Sequence, residues 1–220
     1  MGLLISIVRV CAVLLVWVCL PGCQDPDAAE KAAIRATLRQ LDEANEACDG
    51  AAAVAVMSSE GLAEYTRLVK LALDAPREKV LVLGSSDKQQ IIQLRNRLTR
   101  RELEKMDGAA YQQHATGECW YSMGEDYEGY EASIGKIDVM GDMAYAHILD
   151  EDGKDSGLLA EFSREDGVWK VNEFSFHRQF DEWTREWASL EGMTDDELLV
   201  RLEEIDWGKD VRDSIWDPMR

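Results

Sequence analysis

The side chains best suited to acid–base chemistry fall into two pairs. Tyr111 and His114 stand one helical turn apart, and Tyr145 and His147 share one face of an alternating segment. Facing one cavity, these phenols and imidazoles could donate hydrogen bonds to a substrate carbonyl and move a proton beside it. The same residue types also sit at core edges with their polar tips satisfied. Alternation does not say which strand face is buried, because Ala144, Ala146 and Ile148 occupy the other one. Metal chemistry has less support. His114, His147 and His177 show no short ligand spacing and the cysteines form no paired motif, so we expect no metal and no cofactor. Asp150 to Asp155 reads D-E-D-G-K-D, with Glu161 at the twelfth position. Lys154 stands where a calcium loop places an oxygen ligand, and Asp155 where it requires glycine, so a solvated turn is the better reading.

Three other groupings bear on partners. Lys88, Arg95, Arg97, Arg100, Arg101 and Lys105 form a basic cluster, whereas Asp181 to Asp217 holds thirteen acids against four bases. The acidic end is expected to dock on the basic helices, in a manner an anionic ligand could disturb; the alternative is two solvated faces with screened pairing. Phe180, Trp183, Trp187 and Leu190 form an aromatic stripe. It could meet a partner or a membrane, but spacing of this kind more often packs onto a sheet as core, which is the expectation here. Cys48 and Cys119 could form one disulfide in an oxidising compartment. Alternatively Cys48 continues the helical stripe of Ile34, Leu38 and Leu41 as a buried free thiol.

The start of the chain reads as an address. Val10 to Leu20 is an unbroken apolar run, VCAVLLVWVCL, suited to the core of a secretory signal and short of the roughly 20 residues that span a bilayer. Leu20-Pro21-Gly22-Cys23 follows and resembles the lipobox of bacterial lipoproteins, with Pro21 an unusual residue at its place. The resemblance implies a signal peptide over 1–22, cleavage before Cys23, acylation of that cysteine and a short tether over 23–27. Two or three acyl chains anchor stably where one does not. Gln24, in place of the aspartate that retains many lipoproteins at the inner membrane, favours the outer membrane. The expected location is therefore the cell envelope, facing the periplasm. The formal charge of the chain is −19, which repels phosphate backbones and argues against nucleic acid as a partner.

The elements that must position these groups change character midway. Helical periodicity runs from Ala28 to about His114: a long first helix capped by Asp27 and Glu30, an Ala/Val-rich one to Met57, another from Glu60 to Leu73, a restart at Pro76 through Leu83, and one from Ser86 to Leu98. Thr99 with Glu102 forms a capping box. From Glu118 the period becomes two, predicting strands over Glu118–Met123, Glu131–Met140, Met143–Asp150, Gly157–Ser163 and Val168–Phe176, with turns at Gly141-Asp142 and Asp166-Gly167. Helix returns at Gln179, and Thr194 with Glu197 caps a further one. The predicted organisation is an α+β domain over 28–190 and an acidic helical extension over 191–220.

The order of helices then meander, with Phe162-Ser-Arg-Glu-Asp-Gly167-Val-Trp169-Lys-Val171 in the last strands, resembles the nuclear transport factor 2-like superfamily. That resemblance implies a cone: helices packed on a curved antiparallel sheet, here with extra helices inserted before the sheet. It implies no reaction, because the motif is structural and the superfamily holds both enzymes and binding modules. The functional expectation is a membrane-anchored module that binds a small molecule or an envelope protein. The alternatives are an isomerase- or dehydratase-like enzyme using Tyr111, His114, Tyr145 and His147, and a structural subunit of an envelope complex.

Overall fold

A computed structural model describes residues 25–121, 134–150, 152–172 and 174–220. The expected signal segment over 1–22, Cys23 and Gln24 lie outside the described residues, as do Ser122, Met123 and Glu131–Ser133 from the ends of two predicted strands. Helices come first: α1 Ala28–Glu46, α2 Gly50–Val56, α3 Ser59–Asp74, α4 Arg77–Val80, α5 Ser85–Arg97, α6 Arg100–Leu103 and α7 Gly108–Gly117. Strands β1 Ile134–Met140, β2 Met143–Leu149, β3 Asp155–Glu165 and β4 Val168–Asn172 form a curved antiparallel meander in sequence order. Helices α8 Phe174–Glu191 and α9 Asp195–Trp207 follow, then a 3₁₀ turn over Asp213–Trp216.

Alternation along β2 separates the two sheet faces. Ile137, Ala144, Ala146, Ile148, Ala160, Phe162, Trp169 and Val171 are buried together with Ile34, Leu38 and Leu41 of α1. Register explains the set, since Ala146 stands opposite Ile137 and Ala160, and Phe162 opposite Ala144 and Val171. The alanines leave room for α1 to lie close. Arg35 of α1 donates to the carbonyls of Ile134 and Gly135 at 2.6 and 2.9 Å, and Thr37 donates to Trp169 O at 3.2 Å. The helix therefore crosses the sheet from β1 to β4. Asp166 and Gly167 both take positive φ, 51° and 81°, as a tight hairpin between right-twisted strands requires.

Several sequence expectations are corrected. Glu118–Tyr121 is a turn, not the start of a strand, because α7 runs on to Gly117 and its end folds back on itself. The predicted helix from Pro76 to Leu83 is one turn, Arg77–Val80. The last strand stops at Asn172, and α8 begins at Phe174 rather than Gln179. Asp27 caps α1 without a side-chain hydrogen bond. Glu30, expected to complete that cap, instead accepts from Trp169 Nε1 at 2.6 Å and pairs with Arg164 at 3.1 Å, tying the helix start to the sheet. The capping boxes at Thr99/Glu102 and Thr194/Glu197 are both formed.

Helix α7 is held at two close approaches. A Cβ on Gly50 would lie 1.9 Å from Gln113 O of α7, and one on Gly108 would lie 1.9 Å from Leu62 O of α3. Both obstructions are backbone, which cannot rotate aside. Gly117 has nothing within 4 Å of its would-be Cβ and a helical conformation without positive φ. The two substitutions therefore have opposite signs. Gly50→Ala should lower unfolding stability by about 3 kcal/mol through overpacking. Gly117→Ala should raise it by about 0.5 kcal/mol through reduced backbone entropy of the unfolded chain. Urea unfolding of the two variants beside the parent measures both.

Candidate functional site

The structure does not gather the two Tyr/His pairs into one site. Tyr111 is fully buried among helices, where its hydroxyl donates to Gln90 Oε1 at 2.9 Å and lies 3.4 Å from that of Tyr121. His114 meets the Trp120 ring edge-on, with centroids 5.8 Å apart. Tyr145 and His147 stand on the sheet face turned away from α1, since the intervening Ala144, Ala146 and Ile148 are the buried set. His147 Nδ1 lies 2.8 Å from Asp155 Oδ2, and its Nε2 lies 3.7 Å from Asp138 Oδ2. The Gly157 N–H, then His147, holds the Asp155 carboxyl below its ordinary range; Lys136 does so for Asp138. This is a cross-strand charge cluster on a solvated face. Among the described residues no group of three or more His, Cys, Asp and Glu could hold a metal ion. The Asp150 turn is satisfied by its own backbone, with Asp150 Oδ1 accepting from Asp152 N and Lys154 N.

Cys48 and Cys119 are joined by a disulfide, their Cα atoms 5.0 Å apart across a sequence separation of 71. Each sits just past a helix end in the left-handed region, at φ 53° and 58°. The two ends share one pattern. Asp49 N bonds Ala44 O while Cys48 N bonds Asn45 O; Trp120 N bonds Ala115 O while Cys119 N bonds Thr116 O. These are Schellman turns in which cysteine occupies the place usual for glycine. A non-glycine residue there costs roughly 1–2 kcal/mol, and the bond joining two such residues staples the end of α1 to the end of α7. Cys48 thus lies beyond the buried stripe of α1 rather than continuing it, since the helix ends at Glu46.

The same turn delivers Trp120 to the most elaborate polar cluster of the molecule. The Arg97 guanidinium lies 4.9 Å from the Trp120 ring centre and 5.0 Å from that of Trp207. In its plane, Arg97 Nε and Nη2 donate to Glu203 Oε1 and Oε2 at 2.9 and 2.7 Å, and Asn96 Nδ2 donates to Oε1 at 2.9 Å. Glu203 has no exposed surface. Burial, with Glu203 adding, pushes the neighbouring Asp206 carboxyl up, against the pull of Arg97.

This cluster belongs to a wider docking of the acidic end on the basic helices. Lys88 pairs with Asp196 at 2.7 Å, and Arg77 with Asp213 at 2.9 Å. Arg95 donates to four backbone carbonyls, those of Leu71, Ala72 and Ala75 at the end of α3 and of Ile215 in the 3₁₀ turn. Burial pushes that guanidinium down to about 10, so it stays charged at neutral pH. Leu198, Leu199, Ile215 and Trp216 are buried, so the acidic end is built into the helical body.

Two further features lie on the surface. An open groove of about 640 Å³ beside α3 is lined by Ala63, Arg67, Lys70, Leu71, Pro76 and Lys79. On α8, Phe180, Trp183 and Trp187 form a ladder of rings 5.2 and 4.8 Å apart. The expectation of core packing fails for Trp183, 48% exposed, and Leu190, 85%, whereas Phe180 packs against the core and Trp187 is half-buried. Thr184 and Ala188 are buried on the facing side of α8 and turn Trp183 outward. No family model, curated protein or solved structure matches the chain.

Sequence reasoning found the basic and acidic partners but missed the edge-on pair of Trp120 and Trp207 against Arg97. One signal was present: Glu203 falls one helical turn after Leu199, on the buried side of α9. Removing one partner of a buried pair leaves the other charge uncompensated, so Glu203→Ala should cost about 3–5 kcal/mol in urea unfolding. The exposed tie at Asp213 reports on pH instead. Hydrogen bonds from Arg77 hold the Asp213 carboxyl below its ordinary range. A depressed folded value gives stabilisation that is present above the unfolded value of about 4 and is lost as pH falls through the folded one. The thermal midpoint should drop as the pH falls from about 5 to about 3, and Asp213→Asn should make that drop smaller.

Proposed function

We propose that the chain is a lipid-anchored envelope lipoprotein, facing the periplasm, whose cone-like domain serves as a protein-interaction module. The single observation that carries the reading is the exposure of Trp183 and Leu190 on α8, with Trp183 in a ring ladder with the half-buried Phe180 and Trp187. Exposed side chains of this kind mark contact surfaces, since large apolar side chains in water lose the stabilisation that burial supplies. The concave sheet face supports the same reading, because Phe162, Ile137 and Ile148 fill it against α1. Catalysis through Tyr111, His114, Tyr145 and His147 draws no support from their separate placements. The domain is proposed to be of the nuclear transport factor 2-like kind, with Cys23 as its lipid site. The partner is an envelope protein presenting an apolar patch.

Site-specific photocrosslinking in cells tests this. A benzophenone side chain at Trp183 or Leu190 should give one discrete protein adduct, and the same group at Met140, exposed on the sheet, should not. Equal labelling at all three positions, or none at any, would overturn the assignment of α8 as the contact surface. Replacing Cys23 with serine should release the protein from the membrane fraction; retention there would refute the anchor.

A further inference from the structure

Cys119 is exposed and Cys48 partly so, and nothing in the proposed interaction role uses their bond. The residue after Cys119 is Trp120, whose backbone N–H closes the turn on Ala115 O and whose ring covers one face of Arg97. Trp207 of α9 meets Trp120 edge-on with ring centres 6.2 Å apart and also lies against Arg97, whose edge pairs with Glu203 of the same helix. The disulfide, the turn, the guanidinium and the acidic arm therefore form one continuous chain of contacts. We propose that the Cys48–Cys119 disulfide is a thiol–disulfide exchange site for a dithiol reductant, and that its opening unlatches α9 from α5.

The exchange is a two-electron reduction with a dithiol as donor. A thiolate of the dithiol attacks Sγ of exposed Cys119, forming a mixed disulfide and releasing Cys48 as the leaving thiolate, which takes up a proton. The second thiol of the dithiol attacks its own sulfur in the mixed bond and closes the donor's disulfide. Cys119 leaves and is protonated in turn. Two protein thiols and one oxidised donor result.

Opening the bond removes the staple that held two non-glycine residues in the left-handed region. The turn at Cys119 is then free to relax toward a conformation that L-residues prefer. Trp120 moves with it, and Arg97 loses the stacking on one face that keeps water from its pairing with Glu203. The sheet has no part in this chain of contacts: Ala144, Ala160 and Phe162 pack against α1 and keep their surroundings.

The experiment uses the detergent-solubilised full chain with dithiothreitol as the probe. Reduction under native conditions should rise in proportion to dithiothreitol concentration. Amide exchange over Asp195–Trp207 should then quicken by about tenfold or more, while exchange over β2 and β3 stays unchanged. A reduction rate independent of dithiothreitol concentration would show that the bond opens only on unfolding, and would overturn the exchange site. Unchanged exchange over α9 in the reduced protein, or equal quickening throughout, would overturn the latch. Trp120→Leu in the oxidised protein separates the two links: it should loosen α9 with the disulfide intact, and an unaltered α9 would break the proposed route. Should that variant not fold, the titration of the parent protein still decides.

Discussion

The interaction on which the rest of the structure depends is a guanidinium taken out of water. Arg97 is paired with the fully buried Glu203 and lies over two indoles that meet edge-on. A charge in such a place survives only with its donors and acceptors matched, because a single missing partner leaves an unpaired ion in a low dielectric. This requirement fixes three otherwise independent pieces: α5, which carries Arg97; the turn after α7, which carries Trp120; and α9, which carries Glu203 and Trp207. Arg95, two residues earlier, does the same for backbone, gathering the carbonyl end of α3 and the 3₁₀ turn about one cation. The acidic end thereby becomes part of the helical body.

The sheet is governed by a different constraint, that of space. Three alanines, Ala144, Ala146 and Ala160, line its centre, and α1 enters the room they leave. A cone lined with small residues can hold a ligand when its helix stands off, or close on itself when the helix comes in. Here Ile34, Leu38 and Leu41 fill the face. The polar groups with chemical promise are divided by this arrangement. Tyr111 is sealed among helices, and His147 faces solvent between Asp138 and Asp155. On α8, Trp183 and Leu190 are turned outward, and that exposed pair underlies the proposed interaction role.

Much of the framework could be read from residue order alone. Apolar spacing in α1, the period-two segments of the meander, the Asp166-Gly167 hairpin and both capping boxes depend on neighbours in sequence, so local rules suffice for them. The misreadings share a cause. Glu30 at the third position of α1 had the form of a capping residue, yet Trp169, far along the chain, took its carboxylate. Trp183 had the spacing of a core residue, yet Thr184 and Ala188 decided which way α8 faces. Glu118–Tyr121 alternated like a strand, yet a disulfide to Cys48 and the Schellman turn bent it into a helix end. In each case a contact distant in sequence outweighed a local preference. The candidate surface was the hardest part to read, because exposure is a property of the whole fold.

The central claim is that one buried cation couples the turn after α7 to the acidic arm. A double-mutant cycle in urea unfolding, with Trp120→Leu, Trp207→Leu and both together, tests it most directly. The two indoles touch edge-on and both lie against Arg97, so each should matter less once the other is gone. The account predicts a coupling energy of about 1 kcal/mol between the two positions. Losses that add to within about 0.3 kcal/mol would contradict it, since independent sites behave that way.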